Sequence, residues 1–404
     1  MTIKEIASTM FLLDEQRTGR LKHRIHSYEL TPEFSFTLRA YPLKGPEASP
    51  VFDADGNIYF ASHDGCFYSI NSQGQLRWMF NSGKTKNYGS PSISENYVIF
   101  TSGEGNVHCF TTQGELMWTY YLGAYFDAIS NRYLRKMRKG INALATYDWH
   151  TKKFRLNKCW SSPLINKNQI LITGYGIGLH CIDLISGQCE WTFDLGMPRY
   201  PLSGVAIDED NNIYVAANRH RLYGLHANGQ MKWEYTLKEN YMFWGNPTVD
   251  IEHQSVYFTG GIGEDRGIVL CLGYDGQLKW KKELAGAIRG SVSISYENYV
   301  VFGTLSGQLM ALNKEDGSII FSHRLTQAKR GLWTTPSIDL DGHILITTKD
   351  SNTKGRILIF NSEGKQISSL DIGKALSVPI VDQKGIIYVG SWNGTMMAIS
   401  TKKG

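Results

Sequence analysis

His63 and His220 each occupy a short turn beside a charged residue, Asp64 in the first case and Arg219 and Arg221 in the second. An imidazole in such a turn titrates near neutral pH and can exchange a proton with a bound molecule, which makes His63, Asp64 and His220 the catalytic candidates. Exposed turn histidines without a role have the same appearance. The loops also carry Tyr88, Trp160, Arg199, Tyr200, Trp244, Arg289, Arg330, Trp333 and Trp392. Aromatic walls with a few convergent cations suit a ligand that is anionic, aromatic or both.

Other chemistries find less support. Asp53-Ala54-Asp55-Gly56 and Asp339-Leu340-Asp341-Gly342 open like calcium loops but lack the later glutamate, and they read as tight turns. The chain contains no phosphate loop, serine-nucleophile elbow or histidine-glutamate zinc helix. No cysteine pair has zinc-ligand or redox spacing, so neither a metal nor a cofactor is expected.

These loops must be held by the elements between them, and the stretch from Ser49 to Phe80 shows what those are. Four β-branched and aromatic runs alternate with Gly, Asp and Asn turns, the pattern of an antiparallel meander. Equivalent units start at Ser49-Pro50, Ser90-Pro91, Ser162-Pro163, Ser203-Gly204, Asn246-Pro247, Ser291-Val292, Thr335-Pro336 and Val378-Pro379. Neighbouring starts lie 41 to 45 residues apart except for one gap of 72, and a period in the low forties with four strands per unit means a propeller.

The fourth strands carry Trp78, Trp118, Trp191, Trp233, Trp280, Phe321 and Ile367, large residues suited to burial between blades. Cys109, Cys181 and Cys271 share a third-strand position with Ser69, Gly224, Ala311 and Ala398, so they read as small core residues. His108 and His180 likewise align with Tyr68 and Tyr223 and read as core. The eighth unit ends after its third strand, and Phe34-Ser35-Phe36-Thr37-Leu38-Arg39 has the missing strand's pattern, with Phe36 in the tryptophan position. The expected fold is therefore all-β: one eight-bladed propeller domain over residues 1–404, closed by an N-terminal strand.

The repeat, seen in Asp55-Gly56, Ile58-Tyr59-Phe60, Phe67-Tyr68-Ser69-Ile70 and Gly74-Gln75-Leu76-Arg77-Trp78, resembles the pyrroloquinoline-quinone-type propeller repeats. Gln16-Arg17-Thr18-Gly19-Arg20 is similar to a short segment that often precedes such propellers. The resemblance implies the fold, and its members range from quinone-dependent dehydrogenases to a scaffold of outer-membrane assembly. Asp183, Ser186, Gly187 and Trp191 match the dehydrogenases' blade-docking pattern, but their adjacent cysteine pair and calcium-binding acid-amide set are missing. Quinone dehydrogenase activity is not expected.

The long gap holds a basic insertion, residues 121–160, between the second and third blades. It has nine basic residues against two acids in a chain of net charge +5, and Asp127 to Gly140 reads as a helix presenting Arg132, Arg135, Lys136, Arg138 and Lys139. That helix is expected to be a lid, a partner surface or a solvated face. The modest total charge argues against nucleic acid, and no run approaches the roughly 20 apolar residues of a membrane span.

In a meander blade the second-to-third turns and the inter-blade links share one end, which puts the aromatic and basic residues on one face. The expected protein is a cytoplasmic monomer that binds a small anionic or aromatic molecule or a protein partner there without catalysis. The alternative is an enzyme of a small-molecule biosynthetic pathway acting in the same funnel.

Overall fold

In the first unit the turns that need a positive φ fall on glycine, at Gly56 (φ 77°), Gly65 (84°) and Gly74 (77°), and the runs between them pair with one another. The computed structural model describes residues 10, 12–39, 45–122, 125–127, 145–148, 153–156, 159–174, 178–195, 203–217 and 220–401. Among these every element is a strand, and the strands form eight antiparallel blades and one separate three-stranded sheet. Blade 1 comprises Val51–Phe52, Ile58–Ala61, Cys66–Ile70 and Leu76–Asn81, innermost to outermost. Its two middle strands are buried along their whole length and its outer strand alternates, as expected where blades pack face to face and only the rim meets water.

The eighth blade is composite. Ile380–Val381, Ile387–Ser391 and Thr395–Ser400 are completed by Thr31–Thr37, which pairs antiparallel with Thr395–Ser400. The two ends of the chain thus close the ring and cover what would be an open edge.

Large outer-strand residues dock each blade on the next. Trp78 Nε1 donates to Thr112 O (3.1 Å), Trp118 Nε1 to Leu184 O (3.0 Å), Trp233 Nε1 to Tyr274 O (3.0 Å) and Trp280 Nε1 to Lys314 O (2.8 Å). Each indole lies on a turn glycine of its neighbour; a Cβ on Gly114 would come within 2.6 Å of Trp78. Opposite each indole sits the small residue of the third strand, Ser69 against Trp78 and Cys109, Cys181 and Cys271 against their own tryptophans. These three cysteines are fully buried and unpaired, as expected.

Register corrects two positions. Phe34, not Phe36, opposes Ala398 and covers the turn glycine of blade 1, Gly74. Phe36 instead meets Phe60 and Tyr68 edge-on, at ring separations of 6.2 and 5.7 Å. The two phenylalanines share a face because side chains alternate with period two, so only the pairing distinguishes them. In blade 7 the residue opposite Ile359 is Ser368 rather than Ile367, and Ser368 Oγ donates to Tyr28 O (2.6 Å). There the N-terminal segment covers the gap that a tryptophan fills elsewhere.

That segment also crosses one end of the channel. Ile207, Val249, Ile294 and Ile338, from the innermost strands of blades 4 to 7, donate their N–H groups to the carbonyls of Glu15, Gln16, Thr18 and Gly19. The Gln16-to-Arg20 motif is the part of the chain that plugs the propeller.

In the insertion, Tyr125–Asp127, Lys153–Leu156 and Ala145–Asp148 form a three-stranded antiparallel sheet. Asp127, expected to start a helix, ends a strand. The remainder of the segment expected to be helical, with Arg132, Arg135, Lys136, Arg138 and Lys139, lies outside the described residues.

His108 and His180 are buried as expected, with Nδ1 3.0 Å from Thr119 Oγ1 and from Tyr120 OH respectively. Burial holds both imidazoles well below their usual 6.5, at about 4. The unfolded chain therefore binds protons that the folded one refuses, and stability present above pH 6.5 is lost as pH falls towards 4. Melting temperature should drop across this window, and the His108→Gln/His180→Gln variant should show a shallower drop; equal slopes would remove these residues as the cause. Phe34→Ala should cost about 2 kcal/mol in urea unfolding, by loss of the ring that docks blade 8 on blade 1. An unchanged midpoint would contradict that placement.

Candidate functional site

The residues that start each blade converge on the axis, where their polar groups link neighbouring blades. Ser49 N donates to Ser90 Oγ (2.8 Å), Ser90 N to Ser162 Oγ (2.9 Å), Gly204 N to Asn246 Oδ1 (2.5 Å) and Ser291 N to Thr335 Oγ1 (2.8 Å). Val378 N donates to Ser49 Oγ (2.9 Å), joining blade 8 to blade 1. A second tier below it runs from Ser92, Ser293 and Ser337 Oγ to the carbonyls of Pro163, Pro336 and Pro379 (2.7, 2.6 and 2.7 Å).

Above this ring opens a cavity of about 340 Å³. Tyr88, Trp160, Trp244, Arg289 and Trp333, all expected as ligand-binding residues, line it together with Glu47, Asn246 and the ring hydroxyls. The Arg17 side chain occupies the channel, wholly buried, with Nε donating to Val205 O (3.1 Å) and Nη2 to Ser162 O (3.3 Å) and Pro163 O (3.0 Å). Ser162 is itself a lining residue, so this guanidinium, carried by the N-terminal plug, supports the cavity from below.

Arg289 dominates the electrostatics of one wall. Its Cζ lies 3.7 Å from the Trp244 ring centroid and 5.2 Å from that of Trp333, a cation held between two indoles. Burial, and then the nearby Arg330, lower its pKa from 12.5 to about 10, so it remains charged at neutral pH. Among the described residues neither Arg289 Nε nor the buried Ser291 Oγ has a hydrogen-bond partner. Together with the Asn246 amide they form a donor set suited to an oxyanion beside an aromatic floor.

The remaining candidates separate. Arg330 lies outside the lining, paired with Glu264, its Cζ 5.6 Å from the Trp333 centroid. Trp392 stands beside the cavity, under Lys374 and 5.6 Å from the His63 ring. Arg199 and Tyr200 lie outside the described residues.

His63 is not the exposed turn residue expected. It is 2% exposed, wedged against Tyr88 (4.5 Å between rings), with Nε2 2.9 Å from Glu47 Oε2. Asp64 is occupied structurally, accepting from Cys66 N (3.0 Å) and Tyr68 OH (2.5 Å). His220 is half-buried and is not among the residues that line the cavity, its Nδ1 2.9 Å from Asn240 Oδ1. Glu47, Asn246, Lys374 and the ring hydroxyls went unrecognised as site residues. The aligned blade starts were visible, but as strand markers, and their convergence follows only from closing the ring.

Fold and site together define a closed eight-bladed propeller with a blind aromatic cavity at one channel mouth. A family model described as outer membrane protein assembly factor BamB matches residues 63–240 and 177–404, and the chain belongs to this family of quinone-type propeller repeats. It is 23% identical over 291 residues to an outer membrane protein assembly factor BamB of Moranella endobia (strain PCIT), covering 62% of this chain and 71% of that protein. The Yersinia pestis BamB is 22% identical over 200 residues, 44% of this chain and 48% of its own length. Among solved structures, BamB from Moraxella catarrhalis superposes with a TM-score of 0.69 at 17% identity, covering 92% of this chain and all (100%) of that one. A europium-containing methanol dehydrogenase gives 0.67 at 11% identity, covering 96% and 90%, a likeness of fold.

These relatives correct the expected cytoplasmic location. Proteins named for assembling the outer membrane point away from the cytoplasm. No helix among the described residues is long and apolar enough to cross a membrane.

Ser49→Ala would leave the buried Val378 N–H without its acceptor at the junction of blades 8 and 1. The expected loss is about 1–3 kcal/mol in equilibrium unfolding, against almost none for the turn variant Ser72→Ala. Equal effects would show that the ring bond does not hold the junction.

Proposed function

We propose that this protein is a binding module that docks a protein partner on its loop-rich face, with the aromatic cavity at the centre of contact. The observation that carries this is Arg289, charged and held between Trp244 and Trp333, with Nε lacking an acceptor among the described residues. Arginine and tryptophan at the centre of a concave patch are the residues that dominate protein interfaces. The family's assembly-factor members support a partner-binding role. An acidic or carboxylate-bearing group of the partner would complete the Arg289, Ser291 and Asn246 donor set.

The enzyme reading has one observation in its favour, the Glu47 carboxylate against His63 at the cavity wall. His63→Gln separates the two, because partner binding survives it and proton transfer does not.

A photo-crosslinking residue in place of Trp333 should trap one defined protein partner in living cells, whereas the same residue at Gln113, on the opposite end, should trap none. Arg289→Ala/Trp333→Ala should weaken binding of the purified partner by about 100-fold. Equal trapping at both ends, or unchanged affinity in the double variant, would overturn the reading.

A further inference from the structure

Beside the cavity, where blades 7, 8 and 1 meet, two lysines face Trp392 and a third, Lys349, lies near Lys374 with its Nζ 3.4 Å from the Lys329 carbonyl. Lys374 Nζ lies 3.1 Å from the indole centroid and Lys86 Nζ 5.8 Å from it. Lys349 is close enough that it and Lys86 both add to burial in lowering the Lys374 ammonium from 10.5 to about 8. Each residue comes from a different loop: Lys86 follows blade 1, Lys349 is in the second-to-third turn of blade 7, and Lys374 links blades 7 and 8. Only the closed ring assembles them.

The cluster is under-neutralised. Glu47 is the carboxylate that acts on Lys374, and it lies against His63. Lys374 is 8% exposed, yet no carboxylate of the described residues approaches it to ion-pair distance. An indole face satisfies one side of an ammonium and leaves N–H groups to spare. Trp392 Nε1 is also buried without an acceptor among the described residues. Like charges at close range and a buried ammonium are both costly, and both costs fall when an anion binds.

We propose that Lys86, Lys349 and Lys374, with Trp392 at the base, form a second anion site that takes a phosphate group. Lysines are compact point charges with rotatable donors, matched to a multi-oxygen, doubly charged anion; the planar carboxylate is better served by the guanidinium fork of Arg289. The phosphate belongs either to a soluble ester or to a lipid headgroup, and both present the same oxygens. This site does not rest on the partner-docking reading, since it uses none of the residues that carry that reading.

Isothermal titration with inorganic phosphate, at constant ionic strength, should show saturable binding to the wild type. Lys374→Met should weaken it at least about tenfold without lowering the melting temperature, because a buried charge becomes a buried thioether of similar length. Lys86→Gln/Lys349→Gln, both on exposed loops, should weaken it with the fold undisturbed. Arg289→Ala should leave it intact, which separates this site from the cavity. Co-sedimentation with phosphatidylglycerol vesicles that depends on Lys374 would assign the phosphate to a lipid, and phosphate binding without it would assign a soluble ester. No saturable binding by the wild type, or binding unchanged in both the Lys374 and the double variants, would overturn the proposal.

Discussion

The hydrogen bond from the first residue of one blade to the side-chain oxygen that starts the next is the constraint on which this molecule depends. Stacked sheets attract one another through apolar contact, which has little directional preference. The Ser49, Ser90 and Ser162 bonds, and that from Val378 back to Ser49, set how far each blade rotates from its neighbour. They lie on the axis, where a small error in rotation would accumulate around eight blades. The outer tryptophans and the glycines beneath them maintain the same spacing at the rim, so each blade is held at both radii.

This arrangement also explains why the site is where it is. Each backbone N–H used between blades is satisfied within the ring, which leaves the ring oxygens in place as a polar floor. The chain then fills the axis from the opposite side with Arg17, whose guanidinium satisfies carbonyls of blades 3 and 4 that would otherwise face an empty channel. What remains open is a cavity with one mouth. Its walls come from inter-blade links, segments free to carry Trp160, Trp244, Arg289 and Trp333 because the blades do not require them for pairing.

Family membership fits this division. The dehydrogenase likeness resides in the blades, and the same scaffold serves different ends through its loops. Here the cavity places an arginine between two indoles, and the histidine nearest to it is buried against a glutamate. Recognition uses such a wall directly, whereas proton transfer needs a group with room to exchange its proton.

By itself the sequence determined the period, the eight four-stranded units, the closing N-terminal strand and the face on which aromatic and basic loops collect. All of these follow from local alternation and turn chemistry repeated along the chain. The tertiary structure decided the rest. Phe34 rather than Phe36 docks blade 8, because period-two alternation leaves register open until the strand pairs. His63 is buried because Tyr88 and Trp392, from two other segments, close over it. Arg17 became a channel plug and Lys374 joined Lys86 through contacts between residues more than a hundred positions apart. Such neighbours exist only once the ring has closed, and no local pattern encodes them.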